Sequence, residues 1–212
     1  GTPVTIADQS IETELRNRIA NVFPDDGILG EEFPDKDGNN SYQWVIDPID
    51  GTISFVQGIP LFGTMLACLY NGVPVLGAIA MPCIDEIVYA ANGLGCFHKV
   101  CEDDPKPARV SQVDQLDGAL VNTTALTYFD SPQLRDLYLK IDKAAKYTRG
   151  LPDCYGFVLL ATGRVDAVIE PNVSLWDIAS VPPIIHEAGG ISTDLGGKDT
   201  VHTNSIIAAT PG

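Results

Sequence analysis

Two aspartates stand three residues apart in the run Asp47-Pro48-Ile49-Asp50-Gly51-Thr52, at the end of an apolar stretch. Pro48 fixes φ between them, so if the chain turns there both carboxylates can face one point, and such a point suits a hard cation. Gly51 allows close backbone approach. A helical turn opening at 51 would offer the N–H groups of Gly51 and Thr52 to an anion beside that cation. Magnesium next to a phosphate is the chemistry this spacing supports. The competing reading is an ordinary Asp-Pro/Asp-Gly turn. More carboxylate comes from Glu31 and Glu32 behind Gly30, sixteen residues before Asp47, from Asp8, and from Asp177 in Trp176-Asp177. Each has a plain structural explanation: adjacent glutamates form a solvated surface, and an aspartate at a helix front is a cap.

Several elements must position these groups. Ile11, Leu15 and Ile19 recur at four-residue steps behind Asp8 and Ser10, which predicts an amphipathic helix ended by the Pro-Asp-Asp-Gly turn at 24–27. Residues 34–41 read as a loop and 43–47 as a short buried strand that stops at Pro48. Runs 63–70 and 74–80 flank Asn71-Gly72, a strong hairpin signal, and strand 85–91 precedes the Gly-Leu-Gly turn at 93–95. The polar, proline-punctuated stretch 102–107 is the expected boundary between an N-terminal α+β half, 1–103, that carries the metal chemistry and a C-terminal α/β half, 104–212. In the second half the pattern predicts strand 118–122, helices 131–146 and 153–162, strand 165–170, helix 177–188, and strands 190–194 and 204–209. Pro182-Pro183 inside the 177–188 helix conflicts with an unbroken axis. Mixed α/β layers follow from the order.

Composition narrows the function. The 212 residues carry 13 basic and 28 acidic side chains, a formal charge of −15, with 45% apolar residues. That is an ordinary globular composition, and the acid excess disfavours nucleic acid and anionic membrane as partners. No apolar run reaches the ~20 residues a membrane span needs. Five cysteines without C-x-x-C spacing and three isolated histidines make no zinc pattern, so a reduced, cytoplasmic setting is expected. Cys154 reads as a small buried hydrophobe, and Trp44 and Trp176 read as core anchors. Arg149 reads first as an ion-pair partner for Asp153 and second as a contact for another anionic group.

In combination the motifs resemble the inositol monophosphatase family of magnesium-dependent phosphatases. They are Thr5-Ile6-Ala7-Asp8, Gly30-Glu31-Glu32, Trp44 through Thr52, Trp176-Asp177-Ile178-Ala179 and Glu187-Ala188-Gly189-Gly190, in the family's order and spacing over almost the whole chain. Within the family the likeness is to the histidinol-phosphate phosphatase branch, carried by Ser54-Phe55, residues 58–64, Asp153-Cys154-Tyr155-Gly156 and Ala161-Thr162-Gly163-Arg164. The resemblance implies an alternating αβαβα sandwich, as in inositol monophosphatases and fructose bisphosphatases, and a homodimer. It implies two or three Mg2+ held by Glu31, Asp47, the Ile49 carbonyl, Asp50 and Asp177. Asp8 and Thr52 match the pair that orients and deprotonates the attacking water, and Glu31 touches a water on the metal. The N–H groups of Gly51 and Thr52 match the phosphate cradle, and Asp153 and Glu170 match contacts to the leaving alcohol.

The chain also departs from the family pattern. A helical segment and loop that precede Thr5-Ile6-Ala7-Asp8 in the family are not in this sequence, which opens Gly1-Thr2-Pro3 without a methionine, so one sheet face is expected to be uncovered. Pro152 stands where the histidinol-phosphatase branch has glycine, and the Glu31–Asp47 linker is short. The expected function is magnesium-dependent hydrolysis of a small phosphorylated metabolite, with histidinol phosphate first and inositol 1-phosphate, fructose 1,6-bisphosphate or a nucleotide 3′-phosphate as alternatives. A non-catalytic metal-binding relative is the rival from another class. An aspartyl-phosphate mechanism of the haloacid-dehalogenase type needs D-x-D-G-T, one residue shorter than the spacing here.

Overall fold

A computed structural model describes residues 5–211. Helix α1 (Ile6–Val22) is followed by strands β1 (Gly27–Gly30) and β2 (Tyr42–Asp50), a short helix α2 (Thr52–Val56), and strands β3 (Gly63–Tyr70), β4 (Val73–Met81), β5 (Glu86–Ala91), β6 (Gly95–Val100) and β7 (Lys106–Pro107). The rest comprises β8 (Leu120–Asn122), α3 (Pro132–Ala144), β9 (Tyr147–Arg149), α4 (Tyr155–Ala161), β10 (Ala167–Glu170), α5 (Leu175–Ile178), α6 (Val181–Glu187), β11 (Ile191–Thr193) and β12 (Ile206–Ala209). The first seven strands form one sheet in sequence order, parallel between β1 and β2 and antiparallel thereafter. The other five form a mixed sheet in the order β11-β12-β10-β8-β9.

The two sheets face each other across α4, α5 and α6. Met65, Ile79, Met81 and Val88 of the first sheet share a core with Val158, Leu160, Ile184 and Ile185 of the helices and with Val168 and Ile206 of the second sheet. Alternation along β2 sends Trp44 and Ile46 outward to Ile19 and Leu15 of α1, and Val45 inward to Ala179 and Leu175. On the far side, Leu134, Tyr138 and Ile141 of α3 cover Val121, Ile169 and Phe129. The resulting order, helix–sheet–helices–sheet–helix, is the αβαβα sandwich that the motifs imply.

Local chemistry accounts for the points where the structure departs from the sequence reading. Strand β2 does not stop at Pro48. It runs to Asp50 through a register shift against β3 between Asp47 and Asp50, where the Thr64 hydroxyl donates to the Pro48 carbonyl (2.8 Å). A bulge is where a strand tolerates a residue without an N–H. The predicted 177–188 helix is two helices, because Pro182 and Pro183 sit in the first turn of α6, where their missing N–H groups cost nothing, and the chain breaks at 179–180. Strands β1, β6 and β9 lie in segments with weak alternation. The Asn71-Gly72 hairpin is present, with both residues left-handed (φ 51° and 78°).

The α5–α6 joint is pressed onto the first sheet: a Cβ on Gly77 of β4 would overlap the backbone of Ser180. Gly77→Ala is expected to cost ~1–3 kcal/mol through overpacking. Urea unfolding should show a lower midpoint with an unchanged m-value.

Candidate active site

The bulge in β2 is what turns Asp47 and Asp50 toward one place. Beyond it, Gly51 adopts a left-handed φ of 86° and opens α2. A side chain there would be strained and would meet Asp153 Oδ2 at 2.8 Å, so both conformation and space call for glycine. From the second sheet's side, Ser174 and Asp177 cap α5 reciprocally, the Asp177 carboxylate accepting the Ser174 N–H at 2.7 Å. Asp47, Asp50 and Asp177 each place a carboxylate oxygen within 4.8 Å of the others. Glu31, Ile49, Asp50, Gly51, Thr52 and Asp177 line one cavity of about 630 Å³, together with Asp153 and Glu170.

Electrostatics set this cavity apart. Burial, then the neighbouring charges of Asp50 and Asp177, hold the Asp47 carboxyl well above its ordinary range. Asp50 is raised by burial and by Asp153 and Asp177, against the lowering effect of the Cys154 N–H it accepts. Burial, Asp177, Glu32 and Asp8 push Glu31 to about 7. Burial and Asp177 raise Asp153 to about 6, and burial raises Glu170 to about 8 despite two hydrogen bonds from Thr124. Among the described residues no Lys or Arg pairs with any of these carboxylates. One oxygen of Asp47, Oδ1, is buried without a hydrogen-bond partner. A buried anion lacking both proton partner and counter-charge is unfavourable unless a cation is supplied. The donor set therefore fits a divalent metal: all oxygen, mostly carboxylate, closely gathered.

Asp8 and Thr52 lie on separate elements, in α1 and at the start of α2. Asp8 is the third residue of α1 and closes a capping box with Thr5, which is the N-cap; its Oδ2 accepts the Thr5 N–H at 2.8 Å and the Thr5 hydroxyl. Its Oδ1 is buried and unpartnered. The Thr52 hydroxyl donates to the Ile49 carbonyl (3.1 Å), and no hydrogen bond joins it to Asp8. Arg149 does not pair with Asp153; its guanidinium donates to the Thr148 carbonyl and lies over the Tyr147 ring, because β9 directs it along the sheet edge. Cys154 is buried, as expected, but its backbone N–H binds Asp50, a role that residue type alone does not signal. Thr124 was invisible in the sequence too. Its N–H and hydroxyl donate to Glu170 Oε1 (2.6 and 2.9 Å), and its hydroxyl oxygen accepts the Asp153 N–H (2.8 Å).

Three clustered acids of an αβαβα sandwich, next to a glycine-opened helix, make a site that could hold a metal ion. The chain belongs to the inositol monophosphatase family, whose model matches residues 1–212. It is 40% identical over 202 residues to a histidinol-phosphatase of Chlorobaculum parvum, covering 94% of this chain and 75% of that protein. A histidinol-phosphatase of Mycobacterium tuberculosis is 36% identical over 207 residues, 98% of this chain and 80% of that one. Among solved structures, an inositol monophosphatase from Anabaena superposes with a TM-score of 0.87 at 30% identity, covering 97% of this chain and 82% of that chain. The protein is a phosphoric monoester hydrolase.

The raised carboxyls make a pH prediction. Groups whose pKa is higher folded than unfolded (~4 for carboxyls) stabilise the metal-free protein fully below pH ~4. That contribution is lost as pH rises through about 6, 7 and 8 for Asp153, Glu31 and Glu170. A bound cation favours the ionised forms, so the rise in Tm on adding magnesium should be larger at pH 8 than at pH 5.5. An equal or smaller rise at pH 8, read by scanning fluorimetry, would contradict a metal at these acids.

Proposed function

We propose that the protein hydrolyses histidinol phosphate to histidinol in a magnesium-dependent reaction. The observation that carries the choice of substrate is the second acidic wall of the cavity. Asp153 and Glu170 stand there with Tyr128 and Trp176 beside them, and among the described residues no side-chain cation pairs with either acid. A leaving alcohol bearing an ammonium and an imidazole supplies that missing charge and an aromatic face. A second phosphate, as in a sugar bisphosphate or a nucleotide, would meet like charge.

Glu31, Asp47, the Ile49 carbonyl, Asp50 and Asp177 would hold two or three Mg2+. When bound, the cations neutralise the acids and the phosphoryl oxygens and make water more acidic. The chain's own groups do the rest. The N–H groups of Gly51 and Thr52 hold the phosphoryl group at the opening of α2. Asp8, through its free Oδ1, accepts the proton of the attacking water, and the Thr52 hydroxyl, anchored on the Ile49 carbonyl, orients that water. In-line attack at phosphorus breaks the P–O bond and expels the alkoxide toward Asp153 and Glu170, where it takes a proton from water to leave as the alcohol, with no covalent enzyme intermediate. Because Asp47 and Asp50 come from residues 1–103 and Asp177 from 104–212, the two halves act as one catalytic unit. A homodimer in the cytoplasm completes the reading; it is supported by free cysteines throughout and by the exposed apolar side chains Ile53, Val56 and Ile59 near the cavity. No helix among the described residues is long and apolar enough to cross a membrane.

The test is phosphate release from histidinol phosphate, inositol 1-phosphate, fructose 1,6-bisphosphate and adenosine 3′,5′-bisphosphate, with and without magnesium. Magnesium-dependent release from histidinol phosphate, abolished in Asp47→Asn, is expected; preferred turnover of another member would reassign the substrate. Glu170→Gln should raise KM for histidinol phosphate about 10- to 100-fold, since a hydrogen bond to a charged group is worth ~1.5–3 kcal/mol. An unchanged KM would remove Glu170 from substrate recognition.

A further inference from the structure

The mechanism leaves one fully buried charge unexplained. Glu12 of α1 has no exposed surface, although its neighbours Thr13 and Glu14 face water. Burying a carboxylate costs several kcal/mol unless its oxygens are satisfied, and the partners here are specific. Oε1 accepts Arg16 Nε at 2.6 Å, and Oε2 accepts the backbone N–H of Glu32 at 2.8 Å. Arg16 then turns its remaining donors to the carbonyls of Phe33 (3.0 Å) and Pro34 (3.2 Å), with its guanidinium over the Phe33 ring. On the other side of Glu31, a Cβ at Gly30 would overlap the Glu12 carboxylate. The main chain before and after Glu31 is thus referenced to a single side chain on α1.

We propose that Glu12 and Arg16 are positioning residues for Glu31, fixing the main chain on both sides of it so that its side chain faces the cavity shared with Asp47, Asp50 and Asp177. The inference rests on the reading of Glu31 as a metal ligand. Asp8 lies four residues before Glu12 on the same face of α1. One helix therefore sets both the carboxylate that receives the proton and the ligand that helps hold the cation. Glu12 and Arg16 together satisfy three backbone groups of residues 32–34, directly after Glu31.

Calorimetric titration with magnesium chloride, without substrate, tests this. Glu12→Gln keeps the volume but turns an NH2 toward groups that already donate, and Arg16→Met keeps the packing but frees the Phe33 and Pro34 carbonyls. Each is expected to weaken magnesium binding about 10-fold or more, the scale of supporting contacts at metal sites, while kcat at saturating magnesium stays within a few-fold of wild type. Glu14→Gln, which breaks the exposed pair with Arg18 on the same helix, should leave magnesium affinity unchanged. Variants with a lower unfolding midpoint but wild-type magnesium affinity would overturn the proposal and leave the metal site standing. A wild-type protein that binds no magnesium would overturn both. Should Glu12→Gln fail to fold, Arg16→Met decides, because its side chain is partly exposed (16%).

Discussion

Like charges brought together out of water govern the architecture of this protein. Asp47, Asp50 and Asp177 would each repel the other two, and the chain accepts that cost by placing them on three rigid supports: a bulged strand, the residue before a left-handed glycine, and the first turn of a helix. None of these supports is free to swing the charges apart. Such a repulsion is one that a cation would relieve, in the way a preorganised site trades folding stability for binding. The hydrophobic layers above and below are what make the supports stiff enough, since β2 is locked by Ile46 on one face and by Val45 on the other.

The same economy runs through the hydrogen bonds. Backbone donors near the site are directed at carboxylates: Cys154 to Asp50, Thr124 to Glu170, Ser174 to Asp177. Each such bond favours the ionised acid without introducing a competing cation, which a lysine or arginine would do. An arginine occurs only one step back, at Arg16, where it serves the loop and not the cluster.

Legibility in the sequence followed the range of the interaction. The hairpin at Asn71-Gly72, the helices α1, α3 and α4 and the strand β2 are written in local patterns, and so are the D-P-I-D-G-T and W-D motifs, because a metal cluster built from adjacent residues keeps a fixed spacing. Pro48 misled because proline in isolation ends a strand, and only the partner Thr64, sixteen residues away, shows that it occupies a bulge. The α5–α6 break was half visible in Pro182-Pro183. Glu12 was hidden for another reason: the apolar stripe Ile11, Leu15, Ile19 points to one face of α1, while the face that is most buried also carries Asp8 and Glu12. Thr124 and the Cys154 N–H carry no signal of type or spacing, since their role depends on contacts 46 and 104 residues apart.

Thr124 joins Glu170 to the Asp153 segment through a single hydroxyl that donates to one and accepts from the other. Asp153 and Glu170 are therefore not independent letters in a code. Any drift at residue 124 re-aims both at once, whereas Asp47 and Asp177 lie on other elements. Diversification of substrate within such a scaffold would thus proceed by jumps at a shared hinge point, with the phosphate chemistry inherited unchanged.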